Sequence, residues 1–405
     1  MAKFVASTWN RKTRGQQKIK GFIQRGEHLK SALKSTQAKI DQQKFNSEGL
    51  VRGIFVAPEY FFSAKYAGMT VGNRKMPRPI GADSHAQLLK MLANISRMFP
   101  RILILPGTVA WKKPMNLREF GQRLAYHLGR EQFRQPLNGD QLLRGLRAEW
   151  QWGVGGKIVN GEDRQDYEEA NGVEMPTTLI TDQEFADIAT SHPGFYTHMV
   201  ATVENDGGLG SAAHAALKRH NSSAVRHMMQ NTAYAFLNGN VVFEYAKQGN
   251  YHEEAGDGSL VFAPGAKSGV QNIEGIRFGF EICLDHNLGT LSKQLRNGRE
   301  IDIHIVMSDW VGFSAGNVVA RDGGFFVHAS TEPSVAGAWR ISNGQKVLAH
   351  SLGSETIQGT PLSHWEIDVE VEDPFALAGT FMDPSRPVRK WASVTANRGG
   401  FRSHG

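Results

Sequence analysis

The chain is poor in cysteine: Cys283 is the only one in 405 residues. A lone thiol cannot close an intrachain disulfide, so a stapled framework is excluded. Long apolar runs are missing as well. No stretch approaches the roughly 18 residues that a membrane span needs, and residues 1–10 lack the apolar core of a signal peptide. These absences set the expectation of a cytoplasmic protein with no membrane partner. Nor is there a block of charge of one sign. The 46 basic and 39 acidic residues leave a formal net charge of +7, dispersed along the chain. That is a weak footprint for a nucleic-acid binder, and no nucleic-acid partner is expected. The densest basic stretches, residues 11–20 and 386–402, read as solvated surface, with an anionic partner as the alternative.

What is present is enough apolar residue for a sizeable core, 40% of the chain, arranged as strands and helices in turn. Residues 4–9 read as a first strand. Residues 16–44 read as a helix with Ile19, Phe22, Ile23, Leu29, Leu33 and Ile40 in an apolar stripe. The runs at 50–57 and 101–109 are nearly all apolar, as strands buried on both faces are. Between them, Asp83-Ser84-His85 is placed to cap a helix that runs to Met98.

The pattern changes at Trp111. Residues 111–229 are polar with helical periodicity, including a short helix over 212–229, and read as an inserted cap or lid. Strands resume at Asn231. Asn238-Gly239 between two apolar runs predicts a hairpin that ends at Lys247. Further strands are expected at 259–263, 276–283, 301–308, 324–329 and 363–369, with a second hairpin around Asn343-Gly344 and a helix beginning at 291–296. The main unit is thus 1–110 plus 230–373, with an irregular tail at 374–405.

Three polar groups stand at the ends of buried strands: Glu59, Lys247 and Cys283. A thiolate is the nucleophilic form of cysteine, so a catalytic thiol needs a base and a nearby cation. Burial raises the pKa of a carboxylate and an adjacent ammonium lowers that of a thiol, so the two can exchange a proton. The ammonium also faces the oxyanion of a tetrahedral intermediate, and the Leu284 amide is a candidate second donor. Each group alone has an ordinary structural reading. Their joint placement is the signal.

In order along the chain, Pro58-Glu59, Asn231-Thr232-Ala233 leading to Lys247, Phe262-Ala263-Pro264-Gly265 and Glu281-Ile282-Cys283-Leu284-Asp285 resemble the motifs of the nitrilase (carbon–nitrogen hydrolase) superfamily. The resemblance implies an α/β four-layer α-β-β-α sandwich and hydrolysis of a non-peptide C–N bond through an acyl-enzyme on cysteine. It makes Glu59 the base, Lys247 the oxyanion stabiliser and Cys283 the nucleophile. It also implies a second glutamate after the lysine, for which Glu254 is the choice and Glu253 the alternative. Tyr60, Leu284 and Trp310 are the expected substrate-binding residues. The resemblance implies no cofactor and no metal, a small-molecule or terminal amide substrate, and a homo-oligomer. An amidase is the first reading. Nitrile or carbamoyl hydrolysis, acyl transfer to an amine and a non-catalytic partner-binding role are the alternatives.

Rival motifs are weaker. Gly312-Phe313-Ser314-Ala315-Gly316 matches the serine elbow G-x-S-x-G, but the residues after it make a poor helix. Residues 151–158 fail the phosphate-loop pattern at both ends, and His252-Glu253-Glu254 is not H-E-x-x-H. His220, His227 and His304 show no ligand spacing with cysteine or carboxylates, so no zinc site is read.

Overall fold

The computed structural model of the chain describes residues 2–13, 21–43, 45, 51–63, 70–71, 74–75, 78–114, 227–251, 253 and 260–369. In chain order the strands are β1 (Ala2–Trp9), β2 (Gly53–Val56), β3 (Thr70–Val71), β4 (Arg74–Lys75), β5 (Ile80–Gly81), β6 (Ile102–Leu105), β7 (Thr108–Pro114), β8 (His227–Leu237) and β9 (Asn240–Ala246). They continue as β10 (Leu260–Phe262), β11 (Val270–Ile273), β12 (Ile276–Ile282), β13 (Ile301–Ser308), β14 (Ala320–Ser330), β15 (Gly337–Ser342), β16 (Gln345–Leu348), β17 (His350–Ile357) and β18 (Thr360–Val369). The helices are α1 (Gly21–Gln43), α2 (Ala82–Met98), α3 (Leu284–Asn287) and α4 (Thr290–Gln294).

Side-chain alternation decides the layers. Phe4, Ile54, Val56, Leu103 and Leu105 point one way, into a core shared with Phe278, Phe280, Ile303, Ile305 and Val327. Their neighbours Val5, Phe55, Ile102 and Ile104 point the other way, onto Leu29 and Leu33 of α1 and Leu88 and Leu92 of α2. On the far side, Leu291 of α4 packs on Ile301 and Val319. The result is an α-β-β-α sandwich. Each such aliphatic side chain contributes about 1.5–3 kcal/mol on burial, and the apolar runs of β2 and β6 are doubly buried because both faces are covered.

The first sheet has the order β17-β18-β1-β2-β6-β8-β7-β5, with β9 and β10 also on β8; the second runs β11-β12-β13-β14-β15-β16. Strands β1, β2 and β6 are parallel, and so are β12, β13 and β14. The loops after these strands emerge at one end of the sandwich, where Glu59 and Cys283 follow β2 and β12.

Several expectations are corrected. Residues 227–229, read as the end of a helix, are strand: Met228 and Met229 pair with Lys113 and Lys112 of β7 on one side and with β10 on the other. Ladder pairing overrides their helical propensity. Strand β7 likewise runs on to Pro114, so residues 111–114 and 227–229 at the edges of the expected insertion belong to the sheet. Residues 115–226, the 374–405 tail and the helices and loops read within them lie outside the described residues. Asp83 does not cap α2: Gly81 is the N-cap and no side-chain bond is made there, leaving Asp83 in the first turn facing the helix dipole. Residues 346–351 do not form one strand. The chain leaves β16 at Leu348, crosses at Ala349 and joins the other sheet as β17, which pairs with β18.

Candidate active site

Glu59 is placed by the turn after β2. Its amide donates to Ser308 O (3.3 Å) at the end of β13, tying the two sheets together, and the Tyr60 amide donates to Thr108 Oγ1 (2.8 Å). Gly107 sits at φ +88, and a Cβ there would lie 2.3 Å from Pro58 O, so only glycine lets β6 turn back under this loop. Lys247 is fixed from both sides: its amide donates to Asn231 O (2.8 Å) and its carbonyl accepts from Gly265 (2.9 Å). A Cβ on Gly265 would come within 1.9 Å of Ala246 O, which explains why Pro264 is followed by glycine.

The side chains converge in a fully buried cluster. Lys247 Nζ donates to Glu59 Oε1 (2.8 Å) and to Glu253 Oε1 (2.5 Å). Asn231 Nδ2 donates to the same Glu59 Oε1 (2.9 Å), and the Asp309 amide donates to Glu59 Oε2 (3.2 Å). Burial opposes the charge on Lys247, but the carboxylates of Glu253 and Glu59 outweigh it and hold its pKa well above the ordinary value. Of the two glutamates read after the lysine, Glu253 lies in this cluster; Glu254 lies outside the described residues. Two acceptors of the cluster, Asn231 Oδ1 and Glu253 Oε2, are buried without a donor among the described residues.

Cys283 ends β12, its amide continuing the ladder to Met307 O (3.0 Å). It adopts φ 49 and ψ −107, a conformation that costs a non-glycine residue about 1–3 kcal/mol. Burial raises its thiol pKa, Glu59 raises it further, and Lys247 and the Asp309 amide pull it down. The net shift is upward, toward the protonated thiol. Its neighbour Asp285 joins the two segments: Asp285 accepts from Gln248 N (3.1 Å), Gly249 N (2.6 Å) and Tyr245 Oη (2.8 Å), locking the chain after Lys247 to the turn after Cys283. Burial pushes the Asp285 pKa up to about 7.

Of the expected substrate-binding residues, Tyr60 is buried with its ring 5.8 Å from Lys247 Nζ, Leu284 is half-buried, and Trp310 is 58% exposed. Tyr60 also carries a positive φ of 64. Ser314 is not on a nucleophile elbow. A single 3-10 turn, Ala315–Asn317, follows it, and its amide donates to His286 Nε2 (3.3 Å).

Sequence spacing gave no sign that His304 meets a carboxylate, yet the fold brings Glu281, His286 and His304 together, with one ligand atom of each within 4.8 Å of the others. Glu281 Oε2 accepts from His286 Nδ1 (2.8 Å) and His304 Nε2 (3.0 Å), and Oε1 accepts from Leu291 N (2.8 Å). The remaining ring nitrogens accept from the amides of Ser314 (3.3 Å) and Val319 (3.4 Å). That pattern assigns both tautomers, with each ring N–H donated to Glu281. Burial works against the carboxylate's charge, but the bonds from His286 and His304 prevail and hold its pKa down at about 2. Every atom that could hold an ion is already used, so the cluster is a hydrogen-bonded knot under the Cys283 turn.

No family model matches the chain, and no curated protein matches it by sequence. Solved structures do match by shape. One is Saccharomyces cerevisiae Nit3, a member of branch 10 of the nitrilase superfamily, at 13% identity and TM-score 0.40, covering 96% of this chain and 97% of that one. Another is an amidase from Nesterenkonia sp., at 10% identity and TM-score 0.39, covering 94% and 96%. The site above stands on its own geometry. No described helix is long and apolar enough to cross a membrane.

Proposed function

We propose that this chain is a nitrilase-superfamily hydrolase of non-peptide C–N bonds and acts as an amidase. The observation that carries the reading is the meeting of Glu59, Lys247 and Glu253 in one buried cluster that acts electrostatically on the strained Cys283. The order of motifs and the α-β-β-α layering support it.

In this reading Cys283 Sγ attacks the carbonyl carbon as its proton passes to Glu59. The C–O double bond opens to an oxyanion facing Lys247. The C–N bond then breaks, the amine leaving with the proton returned by Glu59. Water attacks the thioester with Glu59 again as base, the C–S bond breaks, and the acid and the free thiol are restored. Glu253 keeps Lys247 charged and fixed. Tyr60, Leu284 and Trp310 are the proposed substrate contacts.

The test is intact-mass analysis of wild-type and Glu59→Gln protein against amide, nitrile and carbamoyl compounds. An acyl adduct on Cys283 with the amide, absent in Cys283→Ala, is the expected result. Full amide hydrolysis by a folded Cys283→Ala protein would falsify the mechanism. Adduct formation with the nitrile or carbamoyl compound alone moves the substrate assignment, and acyl transfer to an added amine in preference to water identifies a transferase.

A further inference from the structure

The end of β1 carries a second polar concentration, away from the Glu59 cluster and on the helix-facing side of the sheet. Trp9 faces α1, packed with Leu29 and Leu33. Two residues on, the Arg11 guanidinium carbon lies 5.5 Å from the Trp9 ring. Arg11 is only 5% exposed and Trp9 is fully buried.

The donors here are not used up. Arg11 Nη1 donates to Gln358 O (2.8 Å) and Thr360 Oγ1 (3.1 Å), both neutral, while Arg11 Nε is buried without a partner among the described residues. Trp9 Nε1 and His28 Nδ1 are also buried without partners. Among the described residues no carboxylate pairs with Arg11; the charge acting on it is that of Arg25, of the same sign. Arg25 itself donates to Phe61 O (2.7 Å) and Ser63 O.

A buried cation without a counter-ion is costly, and each orphaned donor adds to the cost. A fold keeps such a group where something negative arrives to meet it. Burial and the charge of Arg11 lower the pKa of His28, so the imidazole is neutral there and can donate or accept.

We infer that Trp9 Nε1, Arg11 Nε and His28 form a binding site for an oxyanion, a phosphate or a carboxylate group, at the carboxyl end of β1. A guanidinium 5.5 Å from an indole ring gives two unlike N–H donors within reach of one such group. This inference is independent of the hydrolase reading.

Isothermal titration calorimetry of the full chain with inorganic phosphate, and separately with malonate, tests it. Saturable binding of at least one anion is expected, and the tighter of the two names the source. Arg11→Gln should abolish the binding. Trp9→Phe, which keeps the ring and removes one donor to a charged ligand, should weaken it about tenfold. Arg277→Gln, at an exposed ion pair with Glu300, should leave it unchanged. Should Arg11→Gln fail to fold, Trp9→Phe decides. Binding of neither anion by the wild type, or equal affinity in wild type and Trp9→Phe, overturns the site.

Discussion

Two buried polar clusters lie at the same end of the sandwich, and they are built to opposite rules. Around Glu281 every carboxylate oxygen and ring nitrogen has a partner. Around Lys247, Asn231 Oδ1 and Glu253 Oε2 are left without donors, and the cysteine beside them is held in a strained conformation. A saturated network rigidifies what it touches. An unsaturated one has hydrogen-bonding capacity in reserve for a ligand or a moving proton. The first cluster therefore supports the Cys283 turn and the second is where the chemistry is proposed.

This contrast can be broken by substitution. The largest effect on rate should come from Glu59→Gln, which removes the proposed base: a loss of about 10²- to 10⁴-fold in kcat, with some loss of stability because the buried Lys247 ammonium keeps only the Glu253 carboxylate. A rate near that of the wild type would move the base elsewhere. Glu281→Gln should act on stability first. It turns an N–H donor toward donors and leaves buried N–H groups of two imidazoles unpaired, so chemical denaturation should report a loss of about 1–3 kcal/mol for each donor left unsatisfied. Rate per folded molecule should fall less than in Glu59→Gln. If Glu281→Gln kills activity and spares stability, the division between the clusters is wrong.

The smaller effects are in pH. The folded-state pKa of Asp285 is raised to about 7 from an ordinary 3.8, burial being the first cause. The folded protein then binds that proton more tightly than the unfolded chain, so its contribution makes stability fall as pH rises from about 4 to about 7. Asp285→Asn should remove this slope from a plot of unfolding midpoint against pH. Glu281 has the opposite sign. Its pKa is lowered to about 2 from 4.5, so its stabilisation is present above the ordinary value and is lost as pH falls toward 2. The acid limb of the same plot should flatten in Glu281→Gln.

Much of the frame was legible because buried strands announce themselves. The continuous apolar runs of β2, β6 and β13 and the Asn238-Gly239 turn each carry a local signal, and so do the groups standing at strand ends. What was not legible depends on pairing across distance. Nothing local says that Asp285 meets the Gln248 and Gly249 amides, or that His304 on β13 reaches Glu281 on β12. The latter follows from their lying on adjacent strands, with Glu281 opposite Val306. The choice between Glu253 and Glu254 was a one-residue register in a loop without periodicity. The turn of β17 into the other sheet was hidden because Gln345–Leu348 and His350–Ile357 are both exposed and polar enough to read alike. The buried donors around Arg11 were visible only as part of a basic stretch, because burial is not written in composition.

One feature of the frame bears on how the protein can vary. Glu59 and Lys247 belong to the first sheet and Cys283 to the second, so the reach of the proposed proton transfer is the thickness of the layer between them. That layer is set by residues such as Phe4, Phe280 and Ala329, in the core that the two sheets share. The interior thus works as a gauge block. A swollen core, as in Ala329→Leu, would be read first in the turnover number and only later in the melting curve.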